Sequence, residues 1–370
     1  MSPETVLQFG AGRFLRAFTD RFIHQANVAG QNVGRVVVVQ STPGNRAAAL
    51  NASATGFHVV VRGLADGQTV DHVEPVNSVS RAISAAESWA EVLEVARSSR
   101  LRLVVSNATE AGYTTDPGDT VHSVPPVSFP AKLLQVLWSR FQAGLPGVTI
   151  IPCELIEHNA VVLRGIVQQL AGEWKLPPAF GEWLLGECGW VENLVDCIVT
   201  PAPADHVLNS TDPLLVTAEP YMLWALARPA QGRAEVFEHP AIQWVNSVDP
   251  YYLRKVRILN GLHTAMAAKF EPLGFETVLQ VMRDKSALRW LRGVAYEEIL
   301  PTITQRVEDG ALFADQVFER FANPFLAHRL VDIAKNHEAK VNVRLRPTVA
   351  DYRRLYGQAP RRLAEVVKEA

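Results

Sequence analysis

The densest chemistry in the chain lies in one short run, Lys255-Val256-Arg257-Ile258-Leu259-Asn260-Gly261-Leu262-His263. Read as an α-helix at about 100° per residue, Asn260 lies about 140° round from Lys255 and His263 about 80°, so the three share one face. A lysine depressed in pKa by burial takes a proton from an alcohol or returns one to an alkoxide. An asparagine N–H on the same face stabilises the developing oxyanion, and a histidine one turn on orients the substrate or the lysine. The same letters also read as the basic start of an ordinary helix with an incidental Asn and His.

A second group opens the chain, Leu7-Gln8-Phe9-Gly10-Ala11-Gly12-Arg13-Phe14. Gly10 permits a tight turn, and Gly12 lets backbone N–H groups approach a pyrophosphate at the start of the helix that Arg13 and Phe14 begin. The third glycine of a dinucleotide fingerprint belongs at position 15, where Leu15 stands. A lone GxG also makes ordinary turns, but this one follows the first strand of an alternating chain, which points to cofactor binding. The second strand ends Gln40-Ser41-Thr42, without the acidic residue that holds ribose hydroxyls in NAD sites. Arg46 either faces a 2′-phosphate or is surface charge, so NAD is the expected cofactor with NADP left open. Asn107, Thr109 and Glu110 after the fourth strand, Glu154, His158 and Asn159 after the fifth, and Asp196 lie where ligands gather. Each of these types also serves as a helix cap or turn residue.

The elements that must position these groups alternate. Thr5 to Phe9, Val36 to Val39, Leu101 to Val105 and Val148 to Ile151 read as strands, with helical periodicity at Phe14 to Ile23, Ala85 to Ser99, Ala131 to Phe141 and Asn159 to Leu170. Such alternation predicts right-handed βαβ units and an α/β Rossmann-type domain with a parallel sheet. Gly63 to Val79 reads as a small antiparallel excursion, and Val216 to Val245 holds two or three further strand-like pieces. After Pro250 the pattern turns helical at Tyr251 to Phe270, Ser286 to Thr304, Ala311 to Arg320 and Pro324 to Asn336. The expected division is a dinucleotide-binding domain over residues 1–243 and a mostly α-helical substrate and catalytic domain over 244–370.

Composition narrows the partners. The 370 residues are 48% hydrophobic and carry 36 basic against 38 acidic side chains, enough apolar material for two cores. A formal net charge of −2 lacks the basic profile of a dedicated nucleic-acid binder. Three cysteines, Cys153, Cys188 and Cys197, form no CxxC pair, so neither a disulfide framework nor a cysteine-rich zinc module is expected. The ten histidines show no HxxxH or HExxH arrangement, and no metal is expected. GxSxG and GxxxxGK[ST] runs are absent, which argues against hydrolase and P-loop chemistry. The N-terminus does not read as a signal peptide, and no apolar stretch reaches the ~18 residues of a membrane span. A cytoplasmic protein with a small-molecule partner, and without nucleic-acid or membrane partners, is the expectation, as monomer or homodimer.

These residues together resemble the mannitol dehydrogenase family of polyol-specific long-chain dehydrogenases and reductases. FGAGRFLRAF looks like that family's GxGxFxRA turn, which also lacks the third glycine, and Lys255 to His263 matches its Lys-x4-Asn-x2-His signature. SNATEAGY (106–113), PCELIEHN (152–159), EPYMLW (219–224) and ERFANPFLAHRLVDIAKN (319–336) extend the resemblance over almost the whole chain. The wording is closest to the family's reductases of keto sugar acids. The resemblance implies a metal-independent, NAD-linked oxidoreductase, with Lys255 as general acid/base, Asn260 and Asn159 as an oxyanion pair, and His263 binding substrate. It also implies substrate contacts at Glu110, Asp196, Arg329, Lys340 and Arg344, the basic ones suited to pairing with a sugar-acid carboxylate. A polyol or a different keto sugar acid is the alternative substrate within the family, and a non-catalytic dinucleotide-binding sensor is the alternative outside enzymes. Cys197 departs from the family by standing where an arginine usually follows the aspartate. Asn342 and Arg346 interrupt the usual basic segment. The chain is shorter than typical members that act on such acids, so a reduced substrate cover is expected.

Overall fold

Runs such as Val36–Val39, β-branched and without a polar face, need cover on both sides and form the middle of a parallel sheet. The computed structural model describes residues 2–367 apart from 54, 109, 233, 235 and 327. It shows six such strands: β1 (Glu4–Phe9), β2 (Arg35–Gln40), β3 (Val79–Ser84), β4 (Leu103–Ser106), β5 (Thr149–Pro152) and β6 (Gly189–Trp190). Their order is β3-β2-β1-β4-β5-β6, with every pairing parallel. This is the doubly wound Rossmann arrangement, and the strand order reverses between β1 and β4. Phe9 is in register with Val39 of β2 and Ser106 of β4, so the turns that leave β1 and β4 emerge side by side.

Helix α1 follows the glycine turn as Arg13–Leu15, a π turn Arg16–Asp20, and Arg21–Val28. Helix α2 (Asn159–Glu173) follows β5 and packs Ala160, Leu163 and Val167 into the core with Leu7, Val104 and Ile150. Strands β3 and β6 were not expected from the sequence. The first begins only two residues after the polar excursion ends, and the second is two residues long. The excursion itself is larger than expected, with Phe57–Ala65 and Gln68–Val76 neighbours in a four-stranded sheet.

The chain separates into two compact units, the first holding 1–61, 72–218 and 222–248, the second 62–71, 219–221 and 249–370. The second unit is built on helix α3, which runs Asp249–Arg254, a π turn Lys255–Asn260, and Gly261–Phe270. Ile258, Leu262, Ala265 and Met266 of this helix are fully buried, and Val281, Leu291, Val294, Val317 and Phe321 belong to the same core. Around it stand, among others, α4 (Gly310–Phe321) and α5 (His337–Arg344). Of the stretch 324–336, expected to be one helix, the described residues form only the short helix Leu330–Ile333. Ahead of it the Asn323 side chain accepts from Phe325 N–H, and Arg329 forms a β-bridge with Thr277, so this backbone is committed elsewhere. No helix among the described residues is long and apolar enough to cross a membrane.

Candidate active site

In the first unit the glycine turn sits where ligands collect in open parallel sheets, at the strand ends beside the reversal of strand order. Gly10 has φ +122°, and a Cβ built there would lie 3.2 Å from the Asn107 carbonyl, so a side chain would meet both strain and the β4 turn. Gly12 differs, because a Cβ there meets no protein atom within 4 Å. The protein itself therefore leaves space at the helix start, where a pyrophosphate is able to approach the backbone. Buried Arg16 donates to the Ala11 carbonyl at 2.8 Å. Burial lowers its guanidinium to about 10 against the pull of Asp20, with Arg46 and Arg13 adding to the lowering. Three arginines thus charge the region of the turn positively. Arg13 itself is exposed, and Phe14 stacks on Phe18.

At the end of β2 the Gln40 side chain donates to the carbonyls of Thr42 and Gly44 and accepts from Ala47 N–H. It is spent on shaping its own loop. Ser41 Oγ, in contrast, is buried without a protein partner. Asn107 donates from Nδ2 to the Cys153 carbonyl at 2.8 Å, linking the β4 and β5 turns. Thr109 lies outside the described residues, as does the side chain of Glu110.

Glu154 has a larger part here than its sequence position suggested. Its carboxyl accepts from Ala108 N–H at 2.7 Å, Ser106 Oγ at 3.1 Å and Tyr113 OH at 3.3 Å, bracing the loop after β4. Burial raises its pKa. The sequence signal available for it was only a carboxylate directly after a strand. Asn159 is fully enclosed: Nδ2 lies 2.8 Å from the Pro152 carbonyl, 2.9 Å from that of Asn193 and 3.1 Å from that of Glu154, and Oδ1 accepts from Ala160 and Asn193. Both amide hydrogens are therefore engaged, so Asn159 here braces strand ends and does not present the free donor implied for it. Asp196 is buried on the strand Asn193–Asp196, opposite Leu223. Cys197 is half-buried beside it.

In the second unit Lys255 and Asn260 bound the π turn of α3. Because π hydrogen bonds close five residues apart, Asn260 comes more nearly beneath Lys255 than the α-helical angle predicts. Asn260 Nδ2 is buried and has no protein partner, and the same is true of His263 Nε2. The Asn260 carbonyl accepts from Thr264 Oγ1 at 2.9 Å, which anchors the turn where regular geometry resumes. His263 is 7% exposed. Burial holds its pKa well below the usual imidazole value, reinforced by His328, Arg320, Arg344 and Lys340.

The basic residues expected from the resemblance divide. Arg344 donates to Thr264 Oγ1 at 3.3 Å, next to His263, and half-buried Lys340 donates to the Ile333 carbonyl at 2.7 Å. Arg329 is exposed at the start of Leu330–Ile333. The two departures pair with each other, Arg346 Nε donating to Asn342 Oδ1 at 2.6 Å on the outer side of α5. Arg320 went unnoticed in the sequence, since a basic residue late in a helix has no local distinction. It meets Glu219 in a buried two-pronged ion pair, the closest contact 2.7 Å, and lies over the Tyr221 ring. Among the described residues no group of three or more His, Cys, Asp or Glu is placed to hold a metal ion. A cavity of about 160 Å³ lined by Thr5, Asn32, Arg102 and Phe237 opens at the opposite ends of β1 and β4, away from the glycine turn.

Comparison with known proteins agrees with the two-unit fold. Residues 4–236 match the mannitol dehydrogenase Rossmann domain, and residues 247–369 match the mannitol dehydrogenase C-terminal domain. The chain is 40% identical to an altronate oxidoreductase of Halalkalibacterium halodurans over 97% of its own length and 72% of the relative's. It is 36% identical to an altronate oxidoreductase of Bacillus subtilis, over 98% and 78%. Its fold is similar to that of Pseudomonas fluorescens mannitol 2-dehydrogenase in ternary complex with NAD and D-mannitol, with TM-score 0.82 and 21% identity, covering 99% of this chain and 78% of that one.

Proposed function

The chain belongs to the mannitol dehydrogenase family, and from that premise we propose that it interconverts a keto sugar acid and its hydroxy acid with NAD(H), as in tagaturonate and altronate. It is an oxidoreductase acting on CH–OH groups. The observation that carries the reading is a pair of buried, unpartnered polar atoms, Asn260 Nδ2 and His263 Nε2, on the helix whose π turn begins at Lys255. Buried polar groups in folded proteins are almost always satisfied, so two open ones on this helix mark a place where a ligand can complete the bonds.

The first unit is assigned to the dinucleotide. The open Cβ direction at Gly12, the positive surroundings of Arg13, Arg16 and Arg46, and the free Ser41 hydroxyl fit a pyrophosphate and a ribose. A bound nicotinamide supplies or accepts the hydride at carbon. The protein's own residues manage the oxygen and its proton. In reduction the Lys255 ammonium gives a proton to the carbonyl oxygen as it becomes an alkoxide, and in oxidation neutral Lys255 takes the alcohol proton. Asn260 Nδ2 donates to the same oxygen where charge builds. His263, held neutral by burial, orients a hydroxyl without adding another positive charge. Lys340 and Arg344 favour an anionic ligand over a neutral polyol.

Turnover of purified protein with tagaturonate and with fructose, each with NADH and NADPH, tests the reading. Tagaturonate with NADH is expected to be preferred, and equal turnover of the two sugars rules out the acid-sugar assignment.

A further inference from the structure

His328 lies in the second unit between α4 and α5. Its ring meets that of His263 edge-on, with centroids 4.6 Å apart and planes at 69°. The Phe321 ring also packs on His263, with centroids 4.3 Å apart. Like His263 Nε2, His328 Nδ1 is buried and has no protein partner. Two unsatisfied ring nitrogens on touching rings are a costly arrangement unless a ligand or water completes both bonds.

Charge supplies the second observation. Lys340 and Arg344 stand four residues apart on α5, on one face, where like charges repel. Burial and then Arg344 and Lys335 lower the Lys340 ammonium. Both cations bear on His263, and Lys340 also bears on His328. Lys340 spends one N–H on the Ile333 carbonyl, and an ammonium carries three. Of the neighbouring carboxylates, Glu219 is engaged by Arg320 and Asp332 by Lys335 at 2.6 Å. The cluster is thus built to receive a negative group, and beside it stands a ring nitrogen with nothing to bind.

We propose that His328 is a specificity-determining residue whose Nδ1–H donates to the carboxylate of the acid-sugar substrate, which Lys340 and Arg344 attract, while His263 Nε2 holds a hydroxyl of the same ligand. This rests on the acid-sugar reading above. Neutrality suits the role. Burial, with Lys340, brings His328 down to about 4 against the pull of Asp332, so it selects through hydrogen-bond direction and leaves the charge to Lys340 and Arg344.

The test compares wild type with His328→Leu, His328→Asn, whose amide falls near the Nδ1 position, and His328→Gln, whose amide reaches the Nε2 position. Each is assayed on tagaturonate and fructose with NADH. His328→Leu is expected to lose about ten- to a hundredfold in kcat/KM on tagaturonate, the range of one hydrogen bond to a charged group, almost all of it in KM. His328→Gln should behave the same way, His328→Asn should recover part of the loss, and fructose turnover should be unchanged. A wild type that prefers tagaturonate, with Leu and Gln variants that keep the preference or lose both sugars equally, overturns the assignment of His328. If the Leu variant does not fold, the Gln and Asn variants decide by the same criterion. A wild type indifferent to the carboxylate overturns instead the acid-sugar reading itself.

Discussion

Gln8 Nε2 donates to the Asp20 carboxylate at 3.3 Å and to the Gly10 carbonyl at 3.2 Å, so one side chain ties a fully buried acid to the glycine turn. Asp20 ends the π turn of α1, where Arg16 is its charged neighbour. Asp20 Oδ1, Gln8 Oε1, Arg16 Nε and Thr19 Oγ1 are all buried without partners. A carboxyl in that setting resists ionisation.

Burial raises Asp20 from 3.8 to about 7, against the lowering effects of Gln8 and Arg16. The native state therefore holds this proton more tightly than the unfolded chain. Its contribution to stability falls as pH rises between those two values and is level above them. Asp20→Asn should flatten that slope and raise stability at about pH 8 by at most about 4 kcal/mol, measured by urea unfolding across pH. A variant that keeps the wild-type slope would show that another group is responsible.

The two glycines of the turn should separate folding from binding. Gly10→Ala places a side chain at φ +122° and close to the Asn107 carbonyl, and should cost about 1–3 kcal/mol of stability. Gly12→Ala meets no protein atom, so its stability should stay within about 0.5 kcal/mol of wild type. Its NADH affinity should nonetheless weaken by about tenfold, the effect of close approach being blocked. Calorimetry with NADH and thermal melting on both variants check this, and undiminished NADH binding by Gly12→Ala would count against the cofactor assignment.

Lys255→Ala should reduce kcat by at least about 10²-fold, with NADH affinity unchanged, if the lysine moves the proton. Asn260→Ala should lower kcat with smaller effect on KM, because its hydrogen bond strengthens as charge develops. Steady-state kinetics alongside NADH titration distinguish these outcomes from unfolding.

Asn159→Ala removes an amide that serves carbonyls of Pro152, Glu154 and Asn193, and should cost about 1–3 kcal/mol of stability. A variant as stable as wild type but impaired in kcat would instead restore Asn159 to the oxyanion role that the resemblance implies.

What local sequence determined was the strongly patterned elements and their alternation, while the short strands Val79–Ser84 and Gly189–Trp190 and the break-up of 324–336 escaped it. The valines of β2, the glycines after β1 and the apolar spacing through Ile258, Leu262 and Met266 each describe their own element, because burial of one face or of both leaves a periodic mark on consecutive residues. That Lys255, Asn260 and His263 lie on one helix was legible from the same periodicity, although the local geometry of that helix was not. The π turn that draws Lys255 and Asn260 together leaves no mark in the residue pattern.

Only the tertiary structure decided which polar groups are spent and which are open. Asn159 and Asn260 are the same residue type, each placed by the resemblance in one oxyanion pair. One is saturated by carbonyls from Pro152, Glu154 and Asn193, and the other keeps a buried, unpartnered N–H. Glu219 finds Arg320 101 residues away, and His263 finds His328, Lys340 and Arg344 on segments whose own patterns do not announce it. The physical reason is that apolar burial is recorded along the chain. Satisfaction of a hydrogen bond or a charge depends instead on which distant segments pack against it, and that is settled only when the chain has folded.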